Sequence, residues 1–271
     1  MEQLKLLLMA VQFFTRLPVR GRLGAWVGYS PERLSRSTRY FPLVGGLVAL
    51  LMALVYAPCA LYFPQGISVI IALAFGVWLT GAFHEDGWID FCDAFGGHRD
   101  KAETLKIMQD SRIGSYGAIA IVLLMALKIE ALAALDPSWV GVSLLAAHAW
   151  SRMCSVMVMH SLPYARPEDD SKAKPIAEHL HWIDTMIALL LTFALLALAA
   201  WLGSSVRPFL FGACGSLLGL LHLRHMMKKR LGGYTGDGLG AVQQLTETLF
   251  YLGILIALSA DNVEITVDPT S

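Results

Sequence analysis

The chain has 271 residues, no net formal charge, 56% hydrophobic and only 15% charged residues, and a mean hydropathy of +0.57. This is too apolar for an ordinary soluble domain, and no basic patch interleaved with aromatics suggests a nucleic-acid partner, so the composition fits a protein whose solvent is a bilayer. The four cysteines, Cys59, Cys92, Cys154 and Cys214, are far apart and form no C-x-x-C pair, which argues against a zinc site or a disulfide frame.

The opening run, "MEQLKLLLMAVQFFTRLPVR", is apolar but is followed by Pro18 and a basic stretch instead of a small-residue cleavage site. It reads as a retained helix lying on or dipping into the membrane interface, within a cytoplasmic cap over residues 1–39. Seven apolar stretches follow, at residues 40–62, 66–84, 114–135, 138–160, 183–202, 207–223 and 238–260. Each approaches the roughly 20 residues a bilayer core requires. The fold class is therefore all-α: a polytopic integral membrane helical bundle of about seven transmembrane helices with an N-terminal interfacial segment. No internal repeat divides it, so residues 1–271 form one domain, with the bundle over 40–260 and a tail over 261–271. Lys and Arg number seven up to Arg39, four in 84–113, three in 161–182 and four in 224–237, whereas the alternate connections carry one or none. The positive-inside rule then places the N-terminus and the long polar loops in the cytoplasm and the acidic tail outside.

The chemistry gathers between the second and third spans. In "HEDGWIDFCDAFGG", Asp86, Asp90 and Asp93 stand at i, i+4 and i+7, within about 60° of one another on a helix. Three carboxylates on one face repel one another unless a cation sits among them, and oxygen-only ligands suit Mg²⁺, Mn²⁺ or Ca²⁺. The plainer reading is a solvated face, or pairing with Arg99, Lys101 and Lys106. Neither an EF-hand loop nor a zinc-protease helix fits the spacing. Further on, "MQDSRIGSYG" sets Asp110, Ser111 and Arg112 beside Gly114 and Gly117. Arg offers a planar fork for phosphate oxygens, although Asp110 and Ser111 also suit a helix cap and Arg112 a snorkelling anchor.

Inside the spans, Lys128 and Glu130 share the third, and His148 and Arg152 lie one turn apart in the fourth. A membrane-embedded Arg needs a partner, which a bound phosphate or the acidic cluster would supply. The run "RHMMKKR" at Arg224–Arg230 is most economically a positive-inside anchor, and it also suits an anionic substrate. The Gly-rich stretch "LGGYTGDGLGAVQQLTE" is neither a P-loop nor a dinucleotide fingerprint. Within it Asp237 reads as a helix cap or a site residue, with Gln244 and Glu247 on the same stripe, deeper in an apolar segment where polar groups are costly.

The blocks "FTRLPV", "YFPLVGGLVAL", "HEDGWIDFCDAFGG", "KIMQDSRIGSYG" and "GGYTGDGLGA", in this order over almost the whole chain, resemble the signature blocks of the cobalamin synthase family, the adenosylcobinamide-GDP ribazoletransferases. The resemblance implies a Mg²⁺-dependent transferase, with Mn²⁺ as the alternative ion, of the bacterial inner membrane, with its active-site loops in the cytoplasm. It joins adenosylcobinamide-GDP to α-ribazole or its 5′-phosphate and releases GMP, a late step of cobalamin biosynthesis. Other late enzymes of that pathway are candidate partners, alongside membrane lipid. Carried onto this chain, the resemblance makes Asp86, Asp90 and Asp93 metal ligands and Asp90, Asp93 and Asp237 catalytic. Arg99, Lys106, Asp110, Ser111, Arg112 and Arg152 become substrate and phosphate contacts. The acidic block also loosely resembles the motif of membrane CDP-alcohol phosphotransferases, a second enzymatic reading. A membrane carrier is the rival from another class; polar clusters gathered at one face and the lack of an inverted repeat weigh against it.

Overall fold

In the computed structural model of the protein, residues 1–97, 100–165 and 180–266 are described. Their α-helices are α1 (Glu2–Phe14), α2 (Gly21–Val27), α3 (Pro31–Ser37), α4 (Phe41–Tyr62), α5 (Gln65–Thr80), α6 (Phe83–Phe95), α7 (Lys101–Ile107), α8 (Ser115–Ala133), α9 (Pro137–Ser161), α10 (Trp182–Leu202), α11 (Arg207–Leu231) and α12 (Gly236–Thr266). A single 3-10 turn, Thr38–Tyr40, joins α3 to α4. Six helical segments are long and apolar enough to cross a membrane, and the bent pair α5 and α6 brings the total to seven if it counts as one span.

The bend departs from the span expected at 66–84. The chain turns by 88° after Thr80, because Gly81 (φ 72°) and Ala82 (φ 59°) both adopt the left-handed conformation. Two successive left-handed residues end one helix and start the next in a new direction. The acidic helix α6 is therefore laid across the end of the bundle. The N-terminal segment is also more integrated than an interfacial strip: Leu6, Met9, Ala10, Val11 and Phe14 of α1 are buried, and the Phe14 ring meets Phe41 edge-on with centroids 4.1 Å apart. A buried ion pair from Arg39, whose Nε donates to Asp184 Oδ1 at 2.6 Å, ties the cap to the start of α10.

Two helices form the centre. In α9 83% of the membrane-length window is buried within the protein and in α12 67%, against 22% in α10. This ordering follows from composition: α9 and α12 carry His148, Arg152, Gln243, Gln244 and Glu247, which lipid would not solvate, whereas α10 is almost wholly apolar and tolerates it. Around this centre, α12 packs on α11, α6 and α9, and α9 packs on α4 and α10. Contacts gather the polar connections at one end. Tyr234 N donates to Pro163 O at 2.8 Å, Arg224 Nε to Ser161 Oγ at 2.8 Å, and Arg230 to the Phe95 carbonyl at 3.2 Å.

Candidate functional site

Helix α6 is seated by its glycines and by one of its acids. A Cβ on Gly87 would lie 2.9 Å from the Asp237 carbonyl oxygen and 3.1 Å from Gly240 Cα. Only glycine therefore lets α6 cross the start of α12 so closely. On the opposite side, the Asp93 carboxylate accepts from Gly114 N and Gly117 N, each at 2.8 Å. It supplies from another helix the cap that α8 lacks, since no side chain of its own bonds there. This explains the glycine pair of "RIGSYG": a side chain at either position would collide with the Asp93 carboxylate.

Asp86 is exposed, and Asp90 and Asp93 are half-buried along the same helix. Asp237, half-buried in the first turn of α12, is brought to this helix through its backbone contact with Gly87. Its expected role as helix cap falls instead to Thr235, whose Oγ1 accepts from Gly238 N at 3.0 Å. Among the described residues, no three His, Cys, Asp or Glu side chains gather closely enough to hold a metal ion by themselves. The donor chemistry nevertheless suits Mg²⁺, which usually takes one or two carboxylates and completes its shell with water and substrate phosphates. Each carboxylate oxygen has two lone pairs, so the two backbone bonds of Asp93 leave it further acceptor capacity.

Asp110 and Arg112 pair with each other on the surface, Arg112 Nη2 lying 2.5 Å from Asp110 Oδ2. Hydrogen bonds from the Arg112 side chain and backbone hold the Asp110 carboxyl down at about 2. Ser111 and Lys106 are exposed nearby. Arg99 lies outside the described residues. Arg152, expected to touch phosphate, is buried. Its Nη1 donates to His148 O at 3.0 Å and lies 4.0 Å from Glu247 Oε2.

Arg152 belongs to a second cluster, set inside the bundle. Lys128 Nζ donates to Gln244 Oε1 at 2.6 Å and to Glu247 Oε1 at 2.8 Å. The Gln243 amide and the Tyr251 hydroxyl also donate to Glu247. Gln244 Nε2 then reaches Glu85 Oε1 at 2.8 Å, linking this cluster to the first turn of α6. Glu247 stands eleven residues beyond Gly236, or about 17 Å into the bundle at 1.5 Å per residue. Polar groups thus do not gather only at one face, contrary to the sequence reading. The deep ones pair with one another around a small internal cavity. Position within a span flagged Lys128, Arg152, Gln244 and Glu247, but nothing in the sequence singled out Glu85, Gln243 or Tyr251 as their partners.

Comparison with known proteins decides the family. The family model described as cobalamin-5-phosphate synthase matches residues 6–255. The chain belongs to this family. A member from Leptothrix cholodnii named adenosylcobinamide-GDP ribazoletransferase is 43% identical over 259 residues, covering 94% of this chain and 96% of its own. One of the same name from a Polaromonas species is 40% identical over 273 residues, covering 93% and 96%. Another from Shewanella amazonensis is 40% identical over 263 residues, covering 95% and 97%. No solved structure matches the chain. The acidic helix, the Asp93 cap and the Gly-rich start of α12 all lie within the matched span of the cobalamin-5-phosphate synthase family.

Proposed function

We propose that this chain joins adenosylcobinamide-GDP to α-ribazole, or to α-ribazole 5′-phosphate, with release of GMP, at the cytoplasmic face of the inner membrane. The observation that carries the reading is the acidic helix α6, laid across the end of the bundle and clamped between α8 and α12, in a chain of this family. A new P–O bond forms between the ribazole hydroxyl oxygen and the phosphorus attached to the cobinamide. The bond from that phosphorus to the oxygen bridging it to the guanylyl phosphate breaks, and the hydroxyl proton passes to a carboxylate. Asp237 and Asp90 are the candidates for that proton, since both belong to the face that Gly87 and Gly240 hold together.

A divalent cation such as Mg²⁺, held by Asp86 and Asp90 with Asp93 contributing, would neutralise charge on the diphosphate. The protein's own task is positioning, and α6 is suited to it because backbone contacts fix its place on both sides. Lys106, Ser111 and the Asp110–Arg112 pair sit on the adjoining connection, where they meet phosphate oxygens from the solvent side, and Arg99 joins them on sequence grounds. Arg152 serves the site from inside, through the buried cluster that reaches Glu85. The basic connections at the same end support the cytoplasmic orientation.

The test is product analysis with purified protein in liposomes, supplied with adenosylcobinamide-GDP, α-ribazole and Mg²⁺. Equimolar GMP and adenosylcobalamin are expected. Folded protein that yields neither would overturn the reading, and release of CMP from a CDP-alcohol would replace it with the related phosphotransferase chemistry.

A further inference from the structure

Among the described residues, six cations have an acidic partner within ion-pair distance: Arg33, Arg36, Arg39, Arg112, Lys128 and Arg152. Three others without an ion pair line one open cavity of about 620 Å³: Lys101 at the start of α7, and Lys229 and Arg230 in the last turn of α11, together with Phe95, Asp100, His225 and Met226. The one acid on this lining, Asp100, caps α7 by accepting from Glu103 N at 2.8 Å, and against three cations it leaves the lining net positive. Arg230 is held in place. Its guanidinium lies 4.7 Å over the Phe95 ring and donates to the Phe95 carbonyl at 3.2 Å. Basic residues in a last helical turn complement the helix dipole, which accounts for part of this charge. It does not account for Lys101, which sits at a helix start, where a cation is disfavoured, and faces the same cavity.

A concave site with an excess of positive charge concentrates anions, and its volume matches ligands of nucleotide size. Phe95 ends the helix that carries Asp93, which places the cavity at the same end of α6, around the helix from Asp93. We infer that this groove between α6, α7 and α11 binds the phosphate-bearing nucleotide half of the substrate, and holds the nucleoside monophosphate product before it leaves. The inference rests on the reading above that the chain handles a guanosine nucleotide. That half carries phosphate whichever form of ribazole is the acceptor, and Lys101, Lys229 and Arg230 supply charge-assisted donors for it. The competing source of the same chemistry is an anionic lipid headgroup at the membrane surface.

The test uses the full chain in nanodiscs of phosphatidylcholine, comparing wild type with Lys101→Ala/Lys229→Ala and Lys101→Glu/Lys229→Glu, all at exposed positions. Equilibrium binding of radiolabelled GMP is expected to weaken about tenfold in the alanine pair, and further in the glutamate pair, from the loss of charge-assisted contacts. The KM for adenosylcobinamide-GDP rises in parallel, while that for α-ribazole stays put. GMP binding at wild-type strength in both pairs overturns the inference. So does unchanged GMP binding accompanied only by loss of a phosphatidylglycerol stimulation, which would assign the groove to lipid. Because GMP binding is read without turnover, a wild type that binds GMP through these lysines but makes no cobalamin sinks the proposed reaction and leaves the groove standing.

Discussion

Substituting Lys128 and Glu247 separately has unequal expected costs, and the inequality follows from counting charges. Lys128, Glu247 and Arg152 have side chains only 3%, 2% and 3% exposed. In Lys128→Met, Glu247 keeps the Gln243 and Tyr251 donors and the Arg152 cation at 4.0 Å. In Glu247→Gln, two cations lose the acid between them, and Lys128 is left linked to Glu85 only by way of Gln244. Removing one partner of a buried pair costs about 3–5 kcal/mol. We place Lys128→Met near about 3 kcal/mol and Glu247→Gln at about 5 kcal/mol, a gap worth more than tenfold in the unfolding equilibrium. Unfolding titrations in mixed micelles, with a double-mutant cycle on the pair, measure both values and their coupling. Equal costs, or a cheaper Glu247→Gln, would refute the view that Glu247 balances two cations at once.

Gly87→Ala should cost about 1–3 kcal/mol through overpacking against Asp237 and Gly240 and should lower turnover. Gly66→Ala, where a Cβ meets nothing within 4 Å, is the control that should leave both unchanged in thermal-shift and turnover assays. Asp93→Asn offers one acceptor oxygen to two backbone N–H groups, so it should cost about 1.5–3 kcal/mol. Hydrogen exchange should then speed at the Gly114 and Gly117 amides above all. Arg112→Ala should return the Asp110 carboxyl from about 2 toward its ordinary value near about 3.9, as read by carboxyl NMR titration. Since the paired Asp110 is depressed, the pairing contributes above the ordinary carboxylate range and is lost as pH falls through about 2. In so exposed a pair, the stability change at neutral pH should be close to nil.

The sequence disclosed the spans because a bilayer imposes length and apolarity on each helix alone, and α8 to α12 start within a few residues of their expected positions. It also disclosed the acidic face, because helical period groups Asp86, Asp90 and Asp93 without reference to any other element. The 88° turn at Gly81 and Ala82 was not legible, since Ala is ordinarily a helix former and adopts a positive φ only under tertiary constraint. The cap that Asp93 places on α8 was equally hidden: Asp110 and Ser111 had better local credentials as caps, and an acceptor 21 residues away leaves no spacing signal. Lys128, Gln244 and Glu247 were conspicuous as polar residues in apolar segments. Their pairing depends on how α8, α9 and α12 rotate against one another, which no single helix records.

The central claim, that the face of α6 performs phosphoryl transfer with a divalent cation, is tested most directly by GMP release as a function of Mg²⁺ concentration, in wild type and in Asp90→Asn in the same liposomes. The account predicts saturable Mg²⁺-dependent release by wild type, abolished by chelator. It also predicts that Asp90→Asn, folded by thermal shift, needs more Mg²⁺ and turns over far more slowly at saturation. Release by Asp90→Asn with wild-type Mg²⁺ dependence and rate would contradict it.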